Sequence, residues 1–266
     1  PLAMDQLPAE ARHQLEALLQ FATDPSDGLS PALRQLLLDC QCAPQLGDVR
    51  RLLADLGQWQ RHQLRCLEGT TWSAGFAAEL EAEAAALVQA ADAPHPSDPG
   101  RLDLCHQRSV TIDDADTRDV DDALALERCP DGSRWIWIHV ADPGRLVAAG
   151  SALDQEAQRR ASSLYLAQGN VPMFPACLSE GVFSLHQGRR CASWSVGVRL
   201  TDTGAIAEQR LHRSWIQPLY RLSYEDADEL IEYAPPQDDD LAELHDLLGV
   251  RRRWRESQGA LLMDQP

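Results

Sequence analysis

The chain has 266 residues, 44% of them apolar, which is ample for one large or two small domains with a real core. Its net charge of −17 comes from 41 acidic residues against 24 basic ones, every one of them Arg. Residues 1–100 carry 14 acids and 6 bases and residues 101–266 carry 27 and 18, which argues against a basic, non-specific nucleic-acid module in either half.

The first 92 residues read as helical. Ala9–Phe21, Pro31–Asp39 and Asp48–Leu56 place Leu and Ala at helical spacing, with Gly57 as a stop. Phe76–Ala91 is rich in Ala and Glu, both strong helix formers. Ala91–Gly100 (ADAPHPSDPG) reads as a linker and places a domain boundary there. No catalytic pattern is visible in this half. His13, His62 and His95 read as surface residues. The seven cysteines form no paired C-x-x-C units, so neither a disulfide framework nor a zinc site is predicted. That usage, without a signal peptide or a long apolar run, fits a reducing compartment and a cytoplasmic chain with no membrane partner.

From Arg101 the texture becomes β-rich. The key stretch is Ser109–Glu127, SVTIDDADTRDVDDALALE, with seven acidic groups. Val110–Ile112 is a β-branched approach and Ala123–Glu127 an alternating exit, so the pattern predicts strand, acidic loop, strand. Like charges at this density repel, and a rigid site keeps them together when cations share them. Carboxylate oxygens are the hard ligands that Mg²⁺ and Mn²⁺ prefer. The plainer alternative is a solvated acidic loop. An EF-hand fails, because counting from Asp114 puts Arg118 and Asp119 at its fifth and sixth positions, where it needs an oxygen ligand and a Gly. An aspartate-based phosphotransferase has its two Asp in Asp114 and Asp116, but Arg118 takes the next required place. The pattern D-x5-D-x-D-D is fully met by Asp113, Asp119, Asp121 and Asp122.

Further on, Arg134–Val140 alternates as a two-faced strand carrying His139, followed by Asp142. Ser151 with Asp154 reads as a capping-box-like helix start running to Arg160. Ser193–Thr201 and Ala205–Trp215 are strands joined at Asp202–Gly204. Helices are predicted over Glu225–Tyr233 and Leu241–Gln258, and a new strand from Gly259 to Met263. Arg159 and Arg160 either face phosphate or form a solvated helix end, and Arg199 and Arg210 either contact nucleic acid or pair with surface acids. The fold class is therefore α+β, with a helical region over 1–100 and a β-rich domain with flanking helices over 101–266.

TIDDADTRDVDDAL closely resembles the catalytic signature of the ribonuclease II (RNB) family of 3'-to-5' exoribonucleases. WIHVADPGRLVAAGSALDQEAQRR, SSLYLAQGNVPMFPACLSEGVFSL, RLSYEDADELIE and RRRWRESQGALL resemble four later segments of that family. The likeness runs from about Arg101 to the end. It implies metal-dependent hydrolysis of single-stranded RNA from its 3' end to nucleoside 5'-monophosphates. Asp113, Asp119, Asp121 and Asp122 would hold Mg²⁺ or Mn²⁺, with Asp119 and Asp121 the most directly catalytic. Tyr165 matches a base-stacking Tyr, and Tyr224 an active-site Tyr beside the terminal nucleotide. His139 and Asp142 lie in a family-like segment as supporting residues. Ala167 stands where the family usually has Pro, and the family's later Arg-bearing segment has no match here. That mismatch leaves an alternative, a catalytically incomplete RNB-like RNA-binding or interaction module. A third reading is a phosphohydrolase with Asp114 as nucleophile. The metal reading requires the four aspartates to stand close enough to grip an ion between them.

Overall fold

The computed structural model describes residues 7–59, 67, 72, 75–166 and 169–261. The chain divides into two compact units, residues 1–75 with 162–171, and residues 76–161 with 172–266. The division falls upstream of the proline-rich stretch read as a linker.

The first unit holds α1 (Ala9–Thr23), α2 (Pro31–Asp39) and α3 (Leu46–Asp55). Their amphipathic faces meet in a core of Leu15, Leu18, Leu37, Val49, Leu53 and Trp59. Ser30 caps α2 by accepting the Leu33 N–H, and Pro31 occupies its first turn. Arg50 reaches from α3 to the Ala22 carbonyl at the end of α1, through Nε at 3.0 Å and Nη2 at 2.8 Å. The hairpin of β5 (Leu164–Leu166) and β6 (Gly169–Val171) also clusters with this unit.

The second unit is built on a seven-stranded mixed sheet. Its strands are β1 (Leu102–Asp103), β2 (Val110–Ile112), β3 (Asp122–Arg128), β4 (Arg134–Ala141), β7 (Cys191–Leu200), β8 (Ile206–Ile216) and β9 (Tyr220–Leu222). Their order is β1-β8-β7-β4-β3-β2-β9. The centre is an antiparallel meander, and the two short edge strands run parallel to their neighbours. β4 shows why the sheet has two different faces. Trp135, Trp137 and Ala141 point into one core with Ala123, Ala125, Leu185 and Ile216. Ile136 points the other way and packs with Leu126 and Leu244. That second face is covered by α6 (Tyr224–Tyr233) and α7 (Asp239–Ser257), which also bury Val110 and Leu222 through Ala227 and Leu241.

Helix α7 sits on the β7–β8 turn. Gly204 there has φ +89°, and a Cβ on it would meet the Val250 carbonyl oxygen at 2.5 Å. The outer end of α7 is tied to the sheet by Arg128 and Arg134, both of which pair with Glu243.

Helix α4 (Ala78–Ala90) packs in this same unit. It shares a core with Val147, with Leu153 of α5 (Ala152–Arg160), and with Leu178 and Phe183. The stretch after α4 is clamped by Arg145, whose guanidinium donates to the Ala91 carbonyl at 2.6 Å, the Ala93 carbonyl at 2.9 Å and both Asp98 oxygens at 2.7 and 3.0 Å. The predicted capping box at Ser151 is half present. Ser151 accepts the Asp154 N–H, but the Asp154 carboxylate accepts from Gly150 instead. A complete box forms at Ser223 and Asp226, at the start of α6. Part of the strand predicted from Gly259 lies outside the described residues, as do His62 and Ala167. Among the described residues no helix is long and apolar enough to cross a membrane.

Candidate active site

The acidic stretch folds as strand, loop and strand, and the loop is held almost entirely through its backbone. Asp113 prolongs β2, its N–H donating to the Leu222 carbonyl of β9 at 3.1 Å. A turn follows, in which the Asp114 carboxylate accepts the Asp116 N–H at 3.0 Å and its carbonyl accepts the Thr117 N–H at 3.0 Å. Exposed Arg221 donates to the Ala115 carbonyl at 3.2 Å and to that of Thr117. Buried Ser184 fixes the next bend, accepting the Val120 N–H at 2.9 Å and donating to the Arg118 carbonyl at 3.0 Å. The Val120 carbonyl accepts from the Leu185 N–H, and the Asp121 carbonyl from the Ala141 N–H. Asp122 then opens β3 opposite Val140. The turn uses Asp114 and Asp116, the two aspartates outside the D-x5-D-x-D-D pattern.

The four aspartates of the pattern are gathered around Asp121. Its carboxyl is pushed up to about 6, first by burial and then by the charges of Asp119, Asp122 and Asp113. The outer surface of Asp121 remains open to solvent, so burial here describes the protein packed on its inner side. Asp122 is also raised, by burial first and then by Asp113. Every influence on these two carboxyls acts upward, and none is a cation. This donor set suits a hard divalent ion in kind: oxygen ligands, an excess of negative charge and an open side. The side chains as they stand do not meet the requirement that they grip one ion between them, although Asp119, Asp122 and Asp113 act electrostatically on Asp121. Among the described residues no three carboxylate, imidazole or thiol side chains stand close enough to hold one ion as they are. Closing on an ion would take rotation of these side chains, against a mutual repulsion that the ion itself would remove.

Tyr224 lies at the same edge of the sheet. It is the first residue of α6, two positions after Leu222, whose carbonyl receives the Asp113 N–H. Its side chain is 56% exposed, as a contact residue needs to be. Tyr165 is on β5 of the other unit and is 62% exposed.

His139 is fully buried. Its Nδ1 is hydrogen-bonded with Ser195 Oγ at 2.7 Å, and burial pulls its pKa down to about 4, so it is neutral. Asp142 is buried against Arg101 at 2.5 Å. Arg160 does not face solvent: it is sealed between Glu156 at 2.8 Å, the Pro172 carbonyl at 2.9 Å and the Phe76 ring. Arg199 and Arg210 both pair with Glu208, and Arg210 lies over Trp135. Sequence reasoning missed Ser184 and Arg221 as the residues that shape the loop. For Ser184 the signal was a lone hydroxyl inside an apolar run (Val182, Phe183, Leu185). For Arg221 the sequence holds none, because its partners lie more than 100 residues away.

An RNB domain model matches residues 101–266. An uncharacterized ribonuclease of Synechocystis is 38% identical over 255 residues, covering 96% of this chain and 38% of that protein. The chloroplastic and mitochondrial ribonuclease II of Arabidopsis thaliana is 38% identical over 211 residues, covering 79% of this chain and 26% of that protein. This chain thus spans between a quarter and two fifths of the length of those two relatives. The Dss1 exoribonuclease active-site mutant from Candida glabrata superposes with TM-score 0.63 over 93% of this chain and 34% of that one, at 16% identity. Mycoplasma genitalium RNase R in complex with ribose-methylated single-stranded RNA gives TM-score 0.57 over 71% and 29%, at 21% identity. At those identities the two structures establish a shared fold.

Proposed function

Because this chain belongs to the RNB family of ribonucleases, we propose that it forms the aspartate-bearing part of a metal-dependent 3'-to-5' exoribonuclease. In this reading the substrate is single-stranded RNA and the products are nucleoside 5'-monophosphates. The observation that carries it is the carboxyl of Asp121, raised first by burial and then by Asp119, Asp122 and Asp113, in a loop whose backbone is held by seven hydrogen bonds. A chain that only needed solubility would let such charges spread.

Asp113 and Asp122 are the residues we assign as direct ligands of Mg²⁺ or Mn²⁺. Asp119 would hold the ion or its waters, and Asp121 stands nearest the chemistry. When bound, such ions neutralise phosphate charge and lower the pKa of an attacking water. The chain's own part is to keep four carboxylates on a backbone too tightly held to yield. Above about pH 6 Asp121 is ionised and accepts hydrogen bonds; below it the carboxyl holds a proton. Tyr224 offers an exposed ring at the same sheet edge for the terminal nucleotide, and Tyr165 a second ring for stacking a base.

The test is Asp121→Asn in the longer protein that carries this chain. Hydrolysis should be lost while RNA binding stays, measured by release of mononucleotides and by a gel shift in EDTA. Full activity in that variant would end the metal assignment. Binding by the unaltered protein with no Mg²⁺-dependent hydrolysis would leave the RNA-binding module as the function.

A further inference from the structure

Below the aspartate loop the sheet carries polar atoms that its packing does not satisfy. Thr111 Oγ1, Ser109 Oγ, His139 Nε2 and both polar atoms of the Gln107 side chain are buried without a hydrogen-bond partner among the described residues. Left dry, each such group costs about 1–3 kcal/mol.

Strand register brings two of them onto one row. Val110 packs with Leu222 and Ala227, so Thr111 faces the opposite side, where Ala123 and Trp137 lie. Val110 pairs with Leu124, which places Thr111 opposite Ala123; Ala123 pairs with His139, and His139 with Ser195. The row therefore runs Thr111, Ala123, His139, Ser195. Only a methyl group separates Thr111 from His139, across two strand spacings of about 4.8 Å each. The next row toward the loop begins with Asp113 and Asp121, which follow and precede Thr111 and Ala123 by two residues. His139 is held on one side by the Ser195 hydroxyl and lies parallel to the Trp137 ring at 6.3 Å. Its Nε2 is thus fixed in direction as well as buried.

We propose that Thr111, Ser109 and His139 line an internal hydration site beneath the aspartate loop, on the face of the sheet that carries Ala123. Water both donates and accepts, as this mixture of hydroxyl and imidazole requires. Its bridges tie β2 to β4 across β3, one row below Asp113 and Asp121. Thr111 and His139 are accordingly positioning residues for the carboxylates. This second part rests on the metal-binding reading above.

Thr111→Val removes the hydroxyl at constant shape and gives opposite signs for the two cases. Over a hydrated site the water loses a partner, and the melting temperature of the chain falls by about 2–6 °C. Over a dry site an unsatisfied hydroxyl is deleted, and melting stays level or rises, which overturns the proposal. Water-to-protein NMR cross-relaxation on the unaltered chain should show long-lived water at Thr111 and Ala123; absence of those signals also overturns it, even if the variant does not fold. For positioning, Mn²⁺ binding followed by electron paramagnetic resonance should weaken about ten-fold in Thr111→Val and stay near the original in Thr111→Ser. Equal binding in both variants defeats the positioning role. If the unaltered chain binds no Mn²⁺, the carboxylate reading fails, while the melting and NMR results still decide the hydration site.

Discussion

Ser184→Ala tests how the aspartate loop is held. Ser184 Oγ is fully buried and makes two bonds to the loop, accepting from Val120 N–H at 2.9 Å and donating to the Arg118 carbonyl at 3.0 Å. Alanine removes both and leaves two backbone groups without this partner. Each lost bond is worth about 1 kcal/mol net, and stranding buried Val120 N–H adds a further share, for a total of about 3 kcal/mol. Part of that loss is recovered if water reaches the amide, so about 2 kcal/mol is the floor. For a unit of this size that is a fall of roughly 4–12 °C in melting temperature. Two readouts separate a loop effect from general weakening. Amide exchange at Val120 should speed up more than exchange in the centre of β7. The Asp121 carboxyl, followed by NMR, should drop from about 6 toward its ordinary value as the loosened loop loses burial and the other aspartates move away. A melting shift under about 1 °C with the Asp121 titration unchanged would refute the claim that Ser184 shapes the site.

Divalent ions should stabilise the chain. Ten times the dissociation constant of Mg²⁺ contributes about 1.4 kcal/mol, a rise of roughly 3–6 °C that EDTA reverses, and no shift would count against the carboxylate site. Gly204→Ala combines a φ of +89° with a Cβ 2.5 Å from the Val250 carbonyl oxygen, so urea unfolding should report a loss of about 2 kcal/mol or more. Stability should also depend on acid. Asp98 is lowered to about 2, chiefly by its bond with Arg145, so the folded state binds its proton less readily than the unfolded chain. That contribution is present above about pH 4 and disappears as pH falls to 2. His139, depressed to about 4 by burial, costs stability as pH falls from about 6.5 to 4, because only the unfolded chain then takes up its proton. Asp121 works in the opposite sense, since its raised carboxyl makes the folded state lose stability as pH rises from about 4 to 6. Replacing Asp121 by Asn should therefore make the melting temperature fall more steeply with acid across that window, and an unchanged slope would contradict the raised carboxyl.

What could be read from the chain alone was whatever depends on near neighbours. Pro31–Asp39 formed its helix at the predicted bounds because Ser30 and Pro31 define its start locally. The two-faced β4 followed from the alternation of Trp135 to Ala141, and the order of strand, acidic loop and strand from the switch in residue type around Asp113. The D-x5-D-x-D-D spacing singled out four aspartates, and the fold puts the other three within electrostatic reach of Asp121. Everything that needed a distant partner stayed hidden. The short edge strands β1 and β9 have too few residues to show a period, and they exist because Trp215 and the β2 backbone offer them partners. The stretch Ala91–Gly100 looks like a linker until Arg145, some 50 residues later, claims two of its carbonyls and the Asp98 carboxylate. Ser184 and Arg221 shape the aspartate loop from 64 to 106 residues away. Spacing along the chain selects which charges can meet. How near they come, and so what proton or ion they hold, depends on the depth at which the sheet buries them and on the side chains from elsewhere that hold their backbone.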